Sequence, residues 1–174
     1  MDQYANTMGN FTYTIDWSGF NVPGHIVDKF FKVFEGNLLT KELHLKKLLA
    51  EAKEEAGITN TKFYLIASYD DDEEGKSVLE HEVAHGLYYL NTEYKNKMLN
   101  VITNMPNKSR ELLHEGLVGK GYTDHVIFDE IQAYFATSEM MQLCEDFDTK
   151  EIPWKSVLRT KEIFQDYYSK IQDD

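Results

Sequence analysis

The sequence has a single cysteine, Cys144, and only three prolines in 174 residues. One thiol cannot make an intramolecular disulfide, so the fold must rest on its core, as is usual in a reducing compartment. No apolar run approaches the roughly 20 residues that span a bilayer. The stretch MDQYANTMGNFTYTIDW has neither the basic start nor the apolar centre of a secretory signal. Positive charge is scarce too: 18 Lys and Arg face 30 Asp and Glu, a formal net charge of −12. Nucleic acids and anionic membranes are held by basic patches, so neither is expected as a partner. A peptide or protein substrate is compatible with this charge. No internal repeat and no Pro-, Gly- or Ser-rich linker divides the chain, so residues 1–174 read as one domain. Together these lacks lead to the expectation of a cytoplasmic protein, although an effector exported without a conventional signal has the same profile.

Hydrophobic residues make up 42% of the chain and aromatics 13%, enough for a folded core. FTYTIDW (residues 11–17) alternates as a strand does, and SGFNVPG after it reads as a turn or loop. HIVDKFFKVFEG reads as a helix stopped at Gly36. TKELHLKKLLAEAKEEAG reads as a second, with Thr40 as N-cap and Leu43, Leu45, Leu48, Leu49 and Ala52 as its apolar side. KFYLIASY (62–69) is so evenly apolar that it predicts a strand buried on both faces or central in a small sheet. DDDEEGK then reads as a solvated loop. Helices are predicted over about 77–91, over EYKNKMLNVITNM, over the start of KSRELLHEGLVGKGY, as one long element over DHVIFDEIQAYFATSEMMQLCEDF, and over 154–171. The last has Trp154, Val157, Leu158, Ile163, Phe164, Tyr167 and Ile171 as its apolar face. Early strands and late helices define an α+β class with a mostly helical C-terminal half.

The chemistry concentrates in LEHEVAHGLYYLN, residues 79–91. Positions four apart on a helix differ by about 40°, so His81 and His85 project from one face and can share a metal. Glu82 lies on the flank of that face. It is too far round to be the natural third ligand but well placed to touch a metal-bound water. This is the division of labour in an H-E-x-x-H site: two imidazoles bind one Zn²⁺, and the carboxylate takes a proton from the water and later gives it to the leaving amine. A surface helix with two solvated histidines would carry the same five residues. The uncharged flanks Val78, Leu79, Val83, Ala84, Gly86 and Leu87 favour the zinc reading, because they let the back of the helix bury while the ligand face looks into a cleft. The small Ala84 and Gly86 permit a neighbouring segment to come close.

At this point VLEHEVAHGL resembles the active-site motif of the zincin metallopeptidases, with uncharged residues wherever that pattern places them. A third ligand is then needed, and His25, His44, His114, His125, Asp129 and Glu130 are the candidates. The metzincin branch would put glycine at position 88 and histidine at 91, where this chain has Tyr88 and Asn91. The gluzincin branch takes a glutamate from a second helix, and DEIQAYFATS is similar to that segment. The resemblance therefore implies Glu130 as third ligand, with Ala133 allowing close helix packing. Tyr134 stands where many gluzincins have an orienting aspartate, so Asp129 is the substitute candidate for that role. A histidine or tyrosine usually supports the oxyanion in this superfamily, which makes His125, Tyr88, Tyr89, Tyr94, Tyr122 and Tyr134 candidates. The resemblance covers about a third of the chain. It implies a zincin-like α+β layout: a small mixed or antiparallel sheet packed on an active-site helix and on a second, glutamate-bearing helix, with an extended substrate pairing along an edge strand. The implied activity is that of a zinc-dependent peptidase. The alternative is a non-catalytic zinc-binding protein or interaction module on the same scaffold, its metal closed by a fourth side chain such as His114 or His125.

Three other signals carry no site. Asp70, Asp72, Glu74 and Gly75 begin like a calcium loop, but its twelfth position, which needs a glutamate, is His81. GLVGKGY lacks phosphate-loop spacing. Cys144 has apolar neighbours at helical spacing and reads as core.

Overall fold

The structure is a computed structural model that describes residues 19–58, 62–68, 73–147 and 151–172. The strand expected at 11–17 lies outside them. Strand β1 (Gly19–Pro23) is followed by helices α1 (Gly24–Val33) and α2 (Thr40–Glu55), strand β2 (Tyr64–Ser68), and helices α3 (Glu73–Leu90), α4 (Thr92–Thr103), α5 (Asn107–Gly119), α6 (Ile127–Thr137), α7 (Met140–Asp146) and α8 (Trp154–Gln172). The class is α+β and mostly helical, with one two-stranded antiparallel sheet among the described residues.

β1 corrects the expected turn. GFNVP pairs with β2 in a register that sets Asn21 opposite Ile66 and Pro23 opposite Tyr64. Phe20 and Val22 alternate with Gly19 and Asn21 in the way a strand needs, and the proline comes last, where it ends the strand. β2 is where the apolar run predicts it, but it is half-buried rather than covered on both faces. One side of the sheet rests on α3. Gly86 permits this contact: a Cβ there would lie 3.3 Å from Tyr64 Cδ1.

The helices form the core. Tyr94, Met98, Ala84, Ala133 and Phe164 pack where α3, α4, α6 and α8 meet. Ile102, Leu113, Leu117, Ile131, Phe135, Leu143 and Val157 extend that core through α5 and α7. Ala84 and Ala133 are fully buried, so two methyl-sized residues let α3 and α6 approach closely. α3 spans Glu73–Leu90, so it takes in the end of the acidic stretch expected to be loop.

The long helix predicted over 124–147 is two helices. Ser138 and Glu139 are extended, and Lys161 Nζ donates to the Ser138 carbonyl at 2.7 Å, holding the break open. Cys144 is partly buried against the core, as its pattern suggests. α2 begins one residue after the N-cap Leu39, whose N–H donates to Glu42 Oε2 at 2.6 Å, so Thr40 is its first residue and not its cap. None of its expected apolar residues is buried. On α8, Leu158 and Ile171 are exposed although the pattern places them on the apolar face. Among the described residues no helix is long and apolar enough to cross a membrane.

Candidate metal centre

α3 delivers His81, Glu82 and His85 to the floor of a cleft of about 450 Å³, and α6 delivers Glu130 and Tyr134 from the facing side. β1 closes one wall with Gly19, Phe20 and Asn21. The helix break brings Thr137 and Ser138 to the rim, and Tyr122 enters from the α5–α6 connection. Among the described residues, His81, His85 and Glu130 form the one group of three or more metal-binding side chains close enough to hold an ion.

Hydrogen bonds orient both imidazoles. Thr137 gives its hydroxyl proton to the Ala133 carbonyl at 2.9 Å. Its oxygen can then only accept from His81 Nδ1, 3.3 Å away. His85 Nδ1 donates to Asp129 Oδ1 at 2.8 Å. Each ring thus commits Nδ1 outward and turns Nε2 to the centre. The two Nε2 atoms are 3.3 Å apart, and Glu130 Oε2 lies 3.7 Å from that of His85 and 4.0 Å from that of His81. Three atoms with these separations share a point about 2.1 Å from each, within the range of zinc–nitrogen and zinc–oxygen bonds. Glu130 Oε2 is buried and makes no hydrogen bond. An oxygen so placed loses water without gaining a donor, unless a cation supplies the partner. The residues therefore fit a metal ion.

The electrostatics agree. Burial, and then the neighbouring His85, push the His81 imidazole down to about 3, so it is neutral at physiological pH. Burial also pushes His85 down, but Asp129, with Glu130 and Glu82 behind it, outweighs this and holds it up at about 9. Burial raises Glu130 to about 7. In the protein alone, a proton on His85 offsets part of the negative charge gathered here. A divalent cation on the same atoms would do so more completely.

Asp129 and Tyr134 both lie beside the His81, His85 and Glu130 group. Asp129 holds His85, and the Tyr134 ring packs edge-on to His81 with centroids 5.1 Å apart. His125 does not: it is exposed and outside the cleft lining. It sits in the exposed turn before α6, so it does not share the helix face that carries Asp129 to the cleft. The other histidines are also elsewhere. His114 pairs with Asp124 at 2.9 Å, His25 with the Tyr89 hydroxyl at 2.8 Å, and His44 is exposed on α2. Among the described residues no third histidine lines the cleft.

Four contributors have no signal in the motif. Asn21 donates from Nδ2 to Glu82 Oε2. Tyr64 donates its hydroxyl to Asn21 Oδ1 at 2.5 Å. Gln132, fully buried, donates to Asp129 Oδ1 at 3.1 Å and to the Ala84 carbonyl at 3.2 Å, and it accepts from Tyr94 at 2.8 Å. Thr137 orients His81. Only Gln132 could have been anticipated, since a Gln three residues after an Asp on a helix shares its face. The others depend on how strands and helices meet.

Comparison with protein-family models, with curated proteins and with solved structures finds no match for this chain.

Proposed function

We propose that this protein is a zinc-dependent peptidase of the gluzincin type, with His81, His85 and Glu130 as ligands of one Zn²⁺ and Glu82 as general base and then general acid. The observation that carries the reading is the convergence on one point of two Nε2 atoms and a buried carboxylate oxygen that makes no hydrogen bond, at the floor of a cleft that also holds Glu82. Zinc supplies a Lewis acid that makes water a usable nucleophile near neutral pH and polarises a carbonyl. Glu82 takes the proton of the attacking water and passes it to the departing amine. Asp129 keeps His85 in the tautomer that offers Nε2 inward, and Thr137 does the same for His81.

Of the oxyanion candidates, Tyr122 and Tyr134 line the cleft. Tyr122 is hydrogen-bonded to Tyr134, and burial followed by the Glu130 charge pushes its pKa up, so it stays a neutral O–H donor. β1 is the strand along the cleft, and among the described residues it pairs only with β2. An extended peptide can add to it by main-chain hydrogen bonds.

The test measures zinc stoichiometry and hydrolysis of fluorescein-labelled casein by the full chain. Glu82→Gln should keep the metal and lose roughly 10²- to 10⁴-fold in rate. A variant that cleaves as fast as the parent refutes the role of Glu82. Full zinc occupancy with no cleavage by the parent would leave the non-catalytic zinc protein as the reading.

A further inference from the structure

The floor of the cleft has a second hydrogen-bonded chain, separate from the one that orients the imidazoles. It runs from Tyr64 on β2 through Asn21 on β1 to Glu82 on α3. The antiparallel register sets it up. Asn21 opposes Ile66, and Tyr64 opposes Pro23, so Asn21 and Tyr64 are diagonal neighbours on one face of the sheet. Tyr64 lies across Gly86, the residue immediately after the ligand His85. A Cβ at that position would press on the ring at 3.3 Å. The motif glycine thus admits the tyrosine that begins the chain.

The chain has a direction. An ionised carboxylate only accepts, so Asn21 must turn Nδ2 toward Glu82 and Oδ1 away. The atom facing Oδ1 is the Tyr64 hydroxyl, a donor. A flipped amide would set oxygen against carboxylate and leave the phenol without its acceptor. The partners at both ends therefore select one orientation. Only Oε2 of Glu82 is engaged by Asn21. Oε1 lies on the side of Gly19, where an added Cβ would come within 3.6 Å of it and within 2.5 Å of Val78 Cγ1. A side chain at position 19 would collide with Val78 and come into van der Waals contact with this oxygen, and glycine leaves that space open.

We propose that Asn21 is a positioning residue for Glu82: it tethers one carboxylate oxygen and leaves the other to exchange protons with water and leaving group, while Tyr64 fixes the direction of the Asn21 amide. This rests on the acid–base role of Glu82 given above. Tethering matters because a carboxylate free to rotate about its last bonds spends less time in reach of the proton it must move.

Two measurements on the full-length, zinc-loaded protein decide it. The first needs no activity. In an amide NMR spectrum, one Nδ2 proton of Asn21, assigned by its loss in Asn21→Ala, should lie well downfield of solvent-exposed asparagines. It should move back in both Glu82→Ala and Tyr64→Phe. A resonance that both variants leave in place overturns the proposal. The second is casein hydrolysis. Asn21→Ala should lower kcat about 10- to 100-fold with KM within about twofold, and Tyr64→Phe should lower kcat about 3- to 10-fold. Asn21→Asp keeps the shape, removes the donor and places a second carboxylate beside Glu82, so it should be no better than alanine. An aspartate variant with parental kcat, or an alanine variant that raises only KM, refutes positioning. If Asn21→Ala does not fold, Tyr64→Phe, which removes one oxygen atom, carries both measurements. A parent that leaves casein intact defeats the peptidase reading, while the NMR result still decides whether Asn21 holds Glu82.

Discussion

Helices α2 and α8 have similar lengths, 16 and 19 residues, and both have apolar residues at helical spacing, yet they end in opposite circumstances. α8 buries Val157, Thr160, Ile163 and Phe164 against α4 and α6. α2 buries nothing: Leu43 is 54% exposed and Leu48 is 48% exposed. Its visible ties are few. Lys53 reaches Asp28 at 2.9 Å and lies over the Phe63 ring, and Leu49 touches the small cluster of Val27, Phe31 and Phe63. The three candidate metal ligands stand on the α8 side of this divide, on α3 and α6. Groups that must hold a cation within tenths of an ångström need rotamers locked by packing, and only the well-buried half provides that.

The largest test of this contrast is Phe164→Ala, which should cost about 3–5 kcal/mol in urea unfolding because the ring is fully buried where α3, α4, α6 and α8 meet. A cost under about 1 kcal/mol would erase the distinction between the two halves. Next comes the pH dependence of zinc binding. His85 holds its proton up to about 9 and Glu130 up to about 7, and a protonated ligand cannot coordinate. The metal must displace those protons, so affinity rises with pH and falls as pH drops. Between pH 8 and pH 6 the loss should be roughly 1,000-fold, read by competition with a chromophoric chelator. A flat profile would separate these two side chains from the metal. Asp129→Asn should lower zinc affinity about 10- to 100-fold at constant pH while leaving the circular dichroism spectrum unchanged, since it removes the negative charge of the group that orients His85 and makes its ring more basic. The smallest effect is on the other side: Leu43→Ala should change stability by no more than about 0.5 kcal/mol, and α2 amides should exchange with deuterium well before those of α8. A large loss there would mean that this face of α2 is covered in solution.

Much of the helical half is legible in the sequence. The spacing of Tyr94, Met98 and Ile102, or of Val157, Ile163 and Phe164, states which face turns inward, because a helix repeats faster than any tertiary contact can reassign it. The breaks are harder to read. Ser138 and Glu139 lie within a run of good helix periodicity, and the hydrogen bond from Lys161 that accompanies the break comes from 23 residues away. β1 was hidden for a similar reason: Gly19, Asn21 and Pro23 signal a turn locally, and the strand exists through its pairing with β2. The same nonlocal cause hides Asn21 and Tyr64 as neighbours of Glu82.

By itself the sequence determined that His81, Glu82 and His85 share a helix face with apolar residues behind them, because 3.6 residues per turn follows from backbone geometry alone. It also determined that a helix bearing Asp129 and Glu130 would form somewhere downstream. Only the tertiary structure decided that this second helix crosses the first at Ala84 and Ala133, closely enough to set the Glu130 oxygen 3.7 Å from His85 and to leave His125 outside. The side chains that meet there are 44 or more positions apart, and no local periodicity specifies which faces of two distant helices pack together; that depends on the fit of their surfaces.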